Sequence, residues 1–249
     1  MSTAEGVRSM DQDWWAVTGL NPDERPELLV VEGSWWRRDR EAQRLPLLAD
    51  VRELAAPDWW WGRWRGRPIV YASVYGAPRV VEPVHILGQL GTPAVAVIGS
   101  CGGLQPGIRP GDVLVPTEVT VAEGASAAYG GGPRGTATRS LVMAAAAVAR
   151  RHDLTVHSGP HVTTEVLLRQ PPELVAGWSA AGHLGVDMET SAAFSAAAWA
   201  GMRRVAVLHV WDDVLAGRSW TDPLPASDDV RRRGAEAALF EIVLEACLG

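Results

Sequence analysis

Cysteine is scarce in this 249-residue chain, and the two that occur, Cys101 and Cys247, cannot build a disulfide framework. That scarcity fits a reducing compartment. No apolar run reaches membrane length and the N-terminus has no signal-type hydrophobic segment, so a soluble, cytoplasmic protein with no membrane partner is expected. A basic stripe is missing too, and the net charge of −6 speaks against nucleic acid as a partner. No zinc-type spacing occurs: Ser-Gly-Pro separates His157 from His161 and breaks helical spacing, so no metal site is expected. His85 reads as structural or as an interface contact, and His209, three residues before Asp212, faces either the core or a pocket.

What the chain does have is 47% hydrophobic content, enough for one large α/β domain with a full core and no second domain. Residues 1–25 read as a polar, variable arm carrying Trp14-Trp15, and the domain as residues 26–249. Apolar patterning predicts strands at Leu28–Val31, Ile69–Val74, Ala94–Ile98, Asp112–Pro116, Val156–Thr163, Gly185–Asp187 and Arg204–Val210. Helices are predicted near Val81–Leu90, Arg139–Arg151, Pro172–Ala181, Ser191–Trp199 and Asp228–Leu248. Ala122–Gly135, rich in Gly and Ala, reads as a mobile surface loop. Twelve tryptophans, eight of them gathered at Trp14-Trp15, Trp35-Trp36, Trp59-Trp60-Trp61 and Trp64, exceed what the core requires and point to an interface between subunits. Trp35-Trp36, between Gly33 and Arg37, could instead wall a binding site.

Three segments carry chemistry. Val95–Pro116 (VAVIGSCGGLQPGIRPGDVLVP) runs a buried-type strand into glycines at Gly99, Gly102 and Gly103, with Ser100 among them. Such a segment is either an anion cradle of backbone amides or a plain turn between strands. Leu184–Ala192 (LGVDMETSA) places Glu189 at a strand-to-helix junction, and Arg204–Val214 (RVAVLHVWDDV) ends an apolar strand on Asp212 and Asp213. Carboxylates there lie at the C-terminal sheet edge, where open α/β folds bind ligands, although helix capping uses the same residue types.

The order of these motifs resembles the purine nucleoside phosphorylase and uridine phosphorylase superfamily, which also contains the methylthioadenosine and S-adenosylhomocysteine nucleosidases. The residues that carry the resemblance are Gly33 with Arg37 four positions on, Gly99-Ser100-Cys101-Gly102, Val186-Asp187-Met188-Glu189, and Val210-Trp211-Asp212. The resemblance implies an α/β, single-domain, three-layer phosphorylase/hydrolase-like fold, with a central mixed, partly barrel-like β-sheet flanked by helices. It also implies roles: phosphate held by Gly33, Arg37 and Ser100; ribose by Met188 and Glu189, with Tyr75 nearby; a purine protonated by Asp212. An arginine of the last helix assists that acid in the family, and Arg233, among Arg231, Arg232 and Arg233, is taken for it, with Arg218 as a competitor. No cofactor is implied beyond inorganic phosphate as co-substrate, and the family's habit implies a homo-oligomer, dimeric or hexameric.

Departures from the pattern limit the substrate. The phosphorylases' arginine three residues before the central serine is Val97 here, as in the nucleosidases, yet the nucleosidases' water-activating glutamate is replaced by Arg37. Arg52 and Arg79 are possible substitute cations. Where the phosphorylases stack the purine on an aromatic ring, Leu167 stands, and Trp211 and Tyr75 are bulkier than the family's residues. Leu104–Pro116 is similar to the pyrimidine branch, but Asp212 favours the purine branch. The expected activity is phosphorolysis of a purine-type, possibly modified, nucleoside; the alternatives are hydrolysis by a nucleosidase, or nucleoside binding without turnover.

Overall fold

Strand-forming runs of Val, Ile, Leu and Ala alternate along this chain with segments of helical period, the pattern that folds into a sheet covered by helices on both faces. The computed structural model describes residues 12–218 and 220–249. In chain order the elements are α1 (Trp14–Thr18), β1 (Leu28–Gly33), α2 (Arg37–Arg44), β2 (Ala49–Glu53), β3 (Trp59–Trp64), β4 (Arg67–Val74), α3 (Ala77–Gln89), β5 (Ala94–Gly103) and β6 (Val113–Ala122). They continue with α4 (Ala125–Ala128), β7 (Arg134–Thr136), α5 (Arg139–Arg151), β8 (Val156–Thr164), α6 (Pro172–Ala180), β9 (Gly185–Asp187), α7 (Thr190–Trp199), β10 (Arg203–Asp213) and α8 (Ala226–Leu248).

The sheet runs β10-β6-β8-β9-β5-β1-β4-β3-β2, with β7 on β6 and a further pairing of β10 with β5. That extra pairing closes β10, β6, β8, β9 and β5 into a ring, and β1, β4, β3 and β2 extend from it, so the fold is α/β with a mixed, partly barrel-like sheet. β4, β1, β5 and β10 are mutually parallel neighbours, so their C-terminal ends share one edge. Residues alternate across that sheet. Leu29, Val31, Val95, Val97, Ala206 and Leu208 join the core on the side of α3 and α7, while Leu28, Val30, Ala96, Ile98, Val205 and Val207 join the core beneath α5 and α8.

Several expectations need correction. Gly102 and Gly103 do not turn the chain: β5 runs through them, pairing with Val186 and Gly185 of β9. Their value is the missing side chain, since a Cβ on Gly103 would lie 3.3 Å from Ile108 and one on Gly102 would meet Asp212 Oδ1 at 3.3 Å. Ala122–Gly135 is not a bare loop. It contains α4 and reaches β7, and Ser126 is buried with its backbone and hydroxyl donating to the Glu123 carboxylate. The tryptophan run is the strand β3: Trp59, Trp61 and Trp64 are buried, and the Trp61 indole donates to the Glu24 carbonyl at 2.9 Å. Of the expected arm, residues 1–11 lie outside the described residues, whereas Trp14 and Trp15 pack on the core and Leu20 is buried in it.

Candidate active site

The C-terminal ends of β1, β5, β9 and β10 border a cavity of about 720 Å³, closed further by the residues after β1 and the segment before α6. Of the residues singled out from the sequence, Gly33, Tyr75, Ser100, Leu167, Met188, Glu189, Trp211 and Asp212 all line it.

Glu189 sits where β9 gives way to α7, buried, its Oε1 accepting from the Gly76 backbone N–H at 2.6 Å. Gly33 is required opposite it: a Cβ there would come within 2.6 Å of the Glu189 carboxyl. Burial and the neighbouring Asp187 carboxylate push Glu189 up to about 8, which favours its protonated form at neutral pH. Burial opposes the ionisation of Asp187 as well, but His161, Thr163 and Thr190 outweigh it and hold Asp187 below the usual carboxylate range. Thr163 Oγ1 donates to Asp187 at 2.6 Å and the Thr190 N–H at 3.0 Å, which fixes the turn that aims Glu189. Tyr75 Oη lies 3.3 Å from Met188 Sδ, so the tyrosine and the thioether form one continuous wall beside the carboxyl.

Asp212 owes its position to an irregularity of β10. The register against β5 shifts between Val210 and Asp212, so that His209 pairs with Ser100 and Asp212 with Gly102. Trp211 is the extra residue. Such a bulge re-aims the side chain that follows it, and here it puts Asp212 on the same side of the pleat as His209 and Ser100. Burial, with the charges of Asp213 and Asp222, raises Asp212 to about 7, the range in which a carboxyl can act as an acid at neutral pH.

Aromatic rings wall the opening. Trp36 stacks on Trp211 at 5.3 Å and 7°, Trp35 meets Trp220 edge-on at 5.0 Å, and the Arg232 guanidinium covers the other face of Trp211 at 3.9 Å. Aromatic lining thus comes from Trp35, Trp36, Trp211 and Trp220, while Leu167 adds none. Trp220 has no motif around it and was not foreseen.

Two expected residues are not brought to the cavity. Arg37 is half-exposed and paired with Asp58, and Arg233 is exposed and paired with Asp229 at 2.5 Å. The first turn of α2 points Arg37 outward and Arg40, one turn on, inward; Arg40 and the loop residue Arg218 line the cavity instead. On α8 the inward arginine is Arg232. The signal for Arg40 was present as Arg37, Arg40 and Arg44 at helical spacing, but α2 has no apolar stripe to mark it as a helix. No cluster of His, Cys, Asp or Glu among the described residues could hold a metal ion.

Comparison with known proteins places the chain in a family. The chain is 28% identical over 238 residues to the purine nucleoside phosphorylase DeoD-type of Roseobacter denitrificans, covering 92% of this chain and 97% of that one. It is 29% identical over 228 residues to the guanosine phosphorylase of Halorubrum lacusprofundi, covering 83% and 89%. A shorter match, 37% identical over 103 residues and 40% of each chain, is to the uridine phosphorylase of Haemophilus influenzae. The fold is similar to the crystal structure of uridine phosphorylase from Vibrio fischeri, with a TM-score of 0.79 at 22% identity over 91% of this chain and 93% of that one. The sequence model of the phosphorylase superfamily matches residues 60–248, three quarters of the chain, and this protein belongs to that superfamily.

Proposed function

We propose that this protein cleaves the N-glycosidic bond of a purine-type nucleoside with phosphate as nucleophile, giving free base and ribose 1-phosphate. The observation that carries this reading is the meeting of Asp212, Glu189 and Ser100 in one cavity at the sheet edge. A phosphate oxygen forms the bond to C1′ as the bond from C1′ to the base nitrogen breaks, and the electron pair leaves with the base. Asp212, protonated near neutral pH, donates to N7 of the departing purine, and the wall of Trp36 and Trp211 offers apolar surface to the base. Glu189 holds the ribose hydroxyls against Met188 and Tyr75, which fixes C1′ for in-line attack. Gly33 and Ser100 border the side from which the nucleophile comes. The exposed Trp35 and Trp36 suit completion of the opening by a second copy of the chain, and light scattering at micromolar concentration should show a homo-oligomer.

Hydrolysis is the second reading, favoured by Val97, which is buried inside β5 where a second phosphate arginine would stand. Base release from a panel of purine nucleosides, including 5′-modified ones, separates the two. Ribose 1-phosphate formed only when phosphate is present is the expected result; free ribose at equal rates with and without phosphate would replace it by hydrolysis.

A further inference from the structure

Beneath α2 and α8 the four parallel strands change character at their C-terminal ends. Along one face of the sheet Leu28 and Val30 lead to Glu32, Ile69 and Tyr71 to Ser73, Ala96 and Ile98 to Ser100, and Val205 and Val207 to His209. Over this polar patch lie Arg40 and Arg44 from α2, and Arg232 and Glu236 from α8. Arg44 grips Glu32 with two hydrogen bonds, at 3.0 and 2.9 Å, and Tyr71 Oη adds a third at 2.9 Å. Arg232 reaches Glu236 at 3.2 Å and, at the surface, Asp229 at 2.8 Å, a carboxylate it shares with Arg233. Arg40 is the third guanidinium against the same two buried carboxylates: its Nη1 pairs with Glu236, and its Nε stays 3.9 Å from Glu32.

The cluster is therefore one positive charge in excess. Burial, together with Arg44 and Arg232, lowers the pKa of Arg40 although Glu32 opposes the shift, and burial with the three guanidinium groups keeps the His209 ring neutral. No ring nitrogen of the buried His209 makes a close side-chain hydrogen bond; the Gly99 backbone lies against the ring and Glu236 stands 4.0 Å from Nε2, and Arg40, His209, Ser100 and Gly33 border the same cavity. Excess buried charge calls for an anion, because it is costly to keep out of water unmatched.

We propose that Arg40, flanked by Ser100 and His209, is the cationic ligand for phosphate in this protein, and that Arg37 is not. The assignment rests on the phosphorolytic reading above. Arg40 supplies the charge, the neutral His209 donates one N–H, and the Ser100 hydroxyl donates a third hydrogen bond. Removing Arg40 leaves two guanidiniums facing two carboxylates, so Arg40→Gln keeps the cluster balanced in charge.

The test uses the full-length protein, with inorganic phosphate titrated in thermal unfolding and in steady-state base release. Phosphate should raise the Tm of the wild type and of Arg37→Ala alike, whereas Arg40→Gln should lose that rise and show at least a tenfold higher KM for phosphate. His209→Asn should raise that KM several-fold, which keeps the proposal falsifiable if Arg40→Gln fails to fold. An unchanged phosphate response in Arg40→Gln, or its loss in Arg37→Ala, overturns the assignment while phosphorolysis stands. A wild type that neither needs phosphate for turnover nor gains Tm from it overturns both.

Discussion

The two ends of the cavity are opposites in charge. At one, Asp212 and Glu189 are buried beside other carboxylates and without a guanidinium, and both are raised toward neutrality. At the other, three arginines crowd two glutamates, and Arg40 and Glu32 of that cluster reach the cavity itself. On the proposed reading the acids would meet hydroxyls and a basic ring nitrogen, and the arginines an anion. Groups held this way, buried and unevenly matched in charge, set stability against catalysis.

Asp212→Asn breaks the contrast most sharply. Turnover on purine nucleosides should fall by roughly 10²- to 10⁴-fold, the range for loss of a general acid, as measured by base release. The same change should raise Tm at pH 8. Folded Asp212 and Glu189 hold protons up to about 7 and about 8, while unfolded carboxyls release them near ~4, so the native state loses stability as pH rises between those values. Neutral Asn escapes that loss, and wild-type unfolding scanned from pH 5 to 8 should show the decline.

Glu189→Ala comes next. On the proposed reading this carboxyl bonds two ribose hydroxyls, each such bond contributing about 0.5–1.5 kcal/mol, so kcat/KM for ribonucleosides should drop roughly tenfold or more, with 2′-deoxyribonucleosides affected less. Trp211→Leu should be milder. It removes the Trp36 stack and the Arg232 contact, each worth about 0.5–1.5 kcal/mol, and should raise the nucleoside KM a fewfold with little change in kcat. Asp58→Ala is the smallest: its partner Arg37 is half in solvent, and such pairs contribute about 0–1 kcal/mol, so Tm and turnover should both stay near wild type.

The acid end could be found in the sequence, because Glu189 and Asp212 each stop an apolar strand and strand ends at this sheet edge converge. The arginine end could not. Arg40 contacts Glu236 nearly two hundred residues away, and the helix that carries Arg40 has arginine where a core-facing stripe would be apolar. Tryptophan misled in the same way: the run Trp59-Trp60-Trp61 hides the period-two alternation by which β3 buries Trp59 and Trp61 and leaves Trp60 partly exposed. Seven of the ten strands are legible to within a few residues at most ends, β2, β3 and β7 are not, and the register shift at Trp211 leaves no mark in composition.

That single shift makes the protein vulnerable to a kind of change that substitution cannot imitate. Inserting one residue after Trp211, with the one-residue bulge kept, would leave every catalytic group in the chain and most of the ladder in place, yet it would move Asp212 from the Gly102 to the Gly103 register, on the opposite side of the pleat from His209 and Ser100. For this strand, length by one residue is a heritable determinant of activity, separate from the identity of any residue in it.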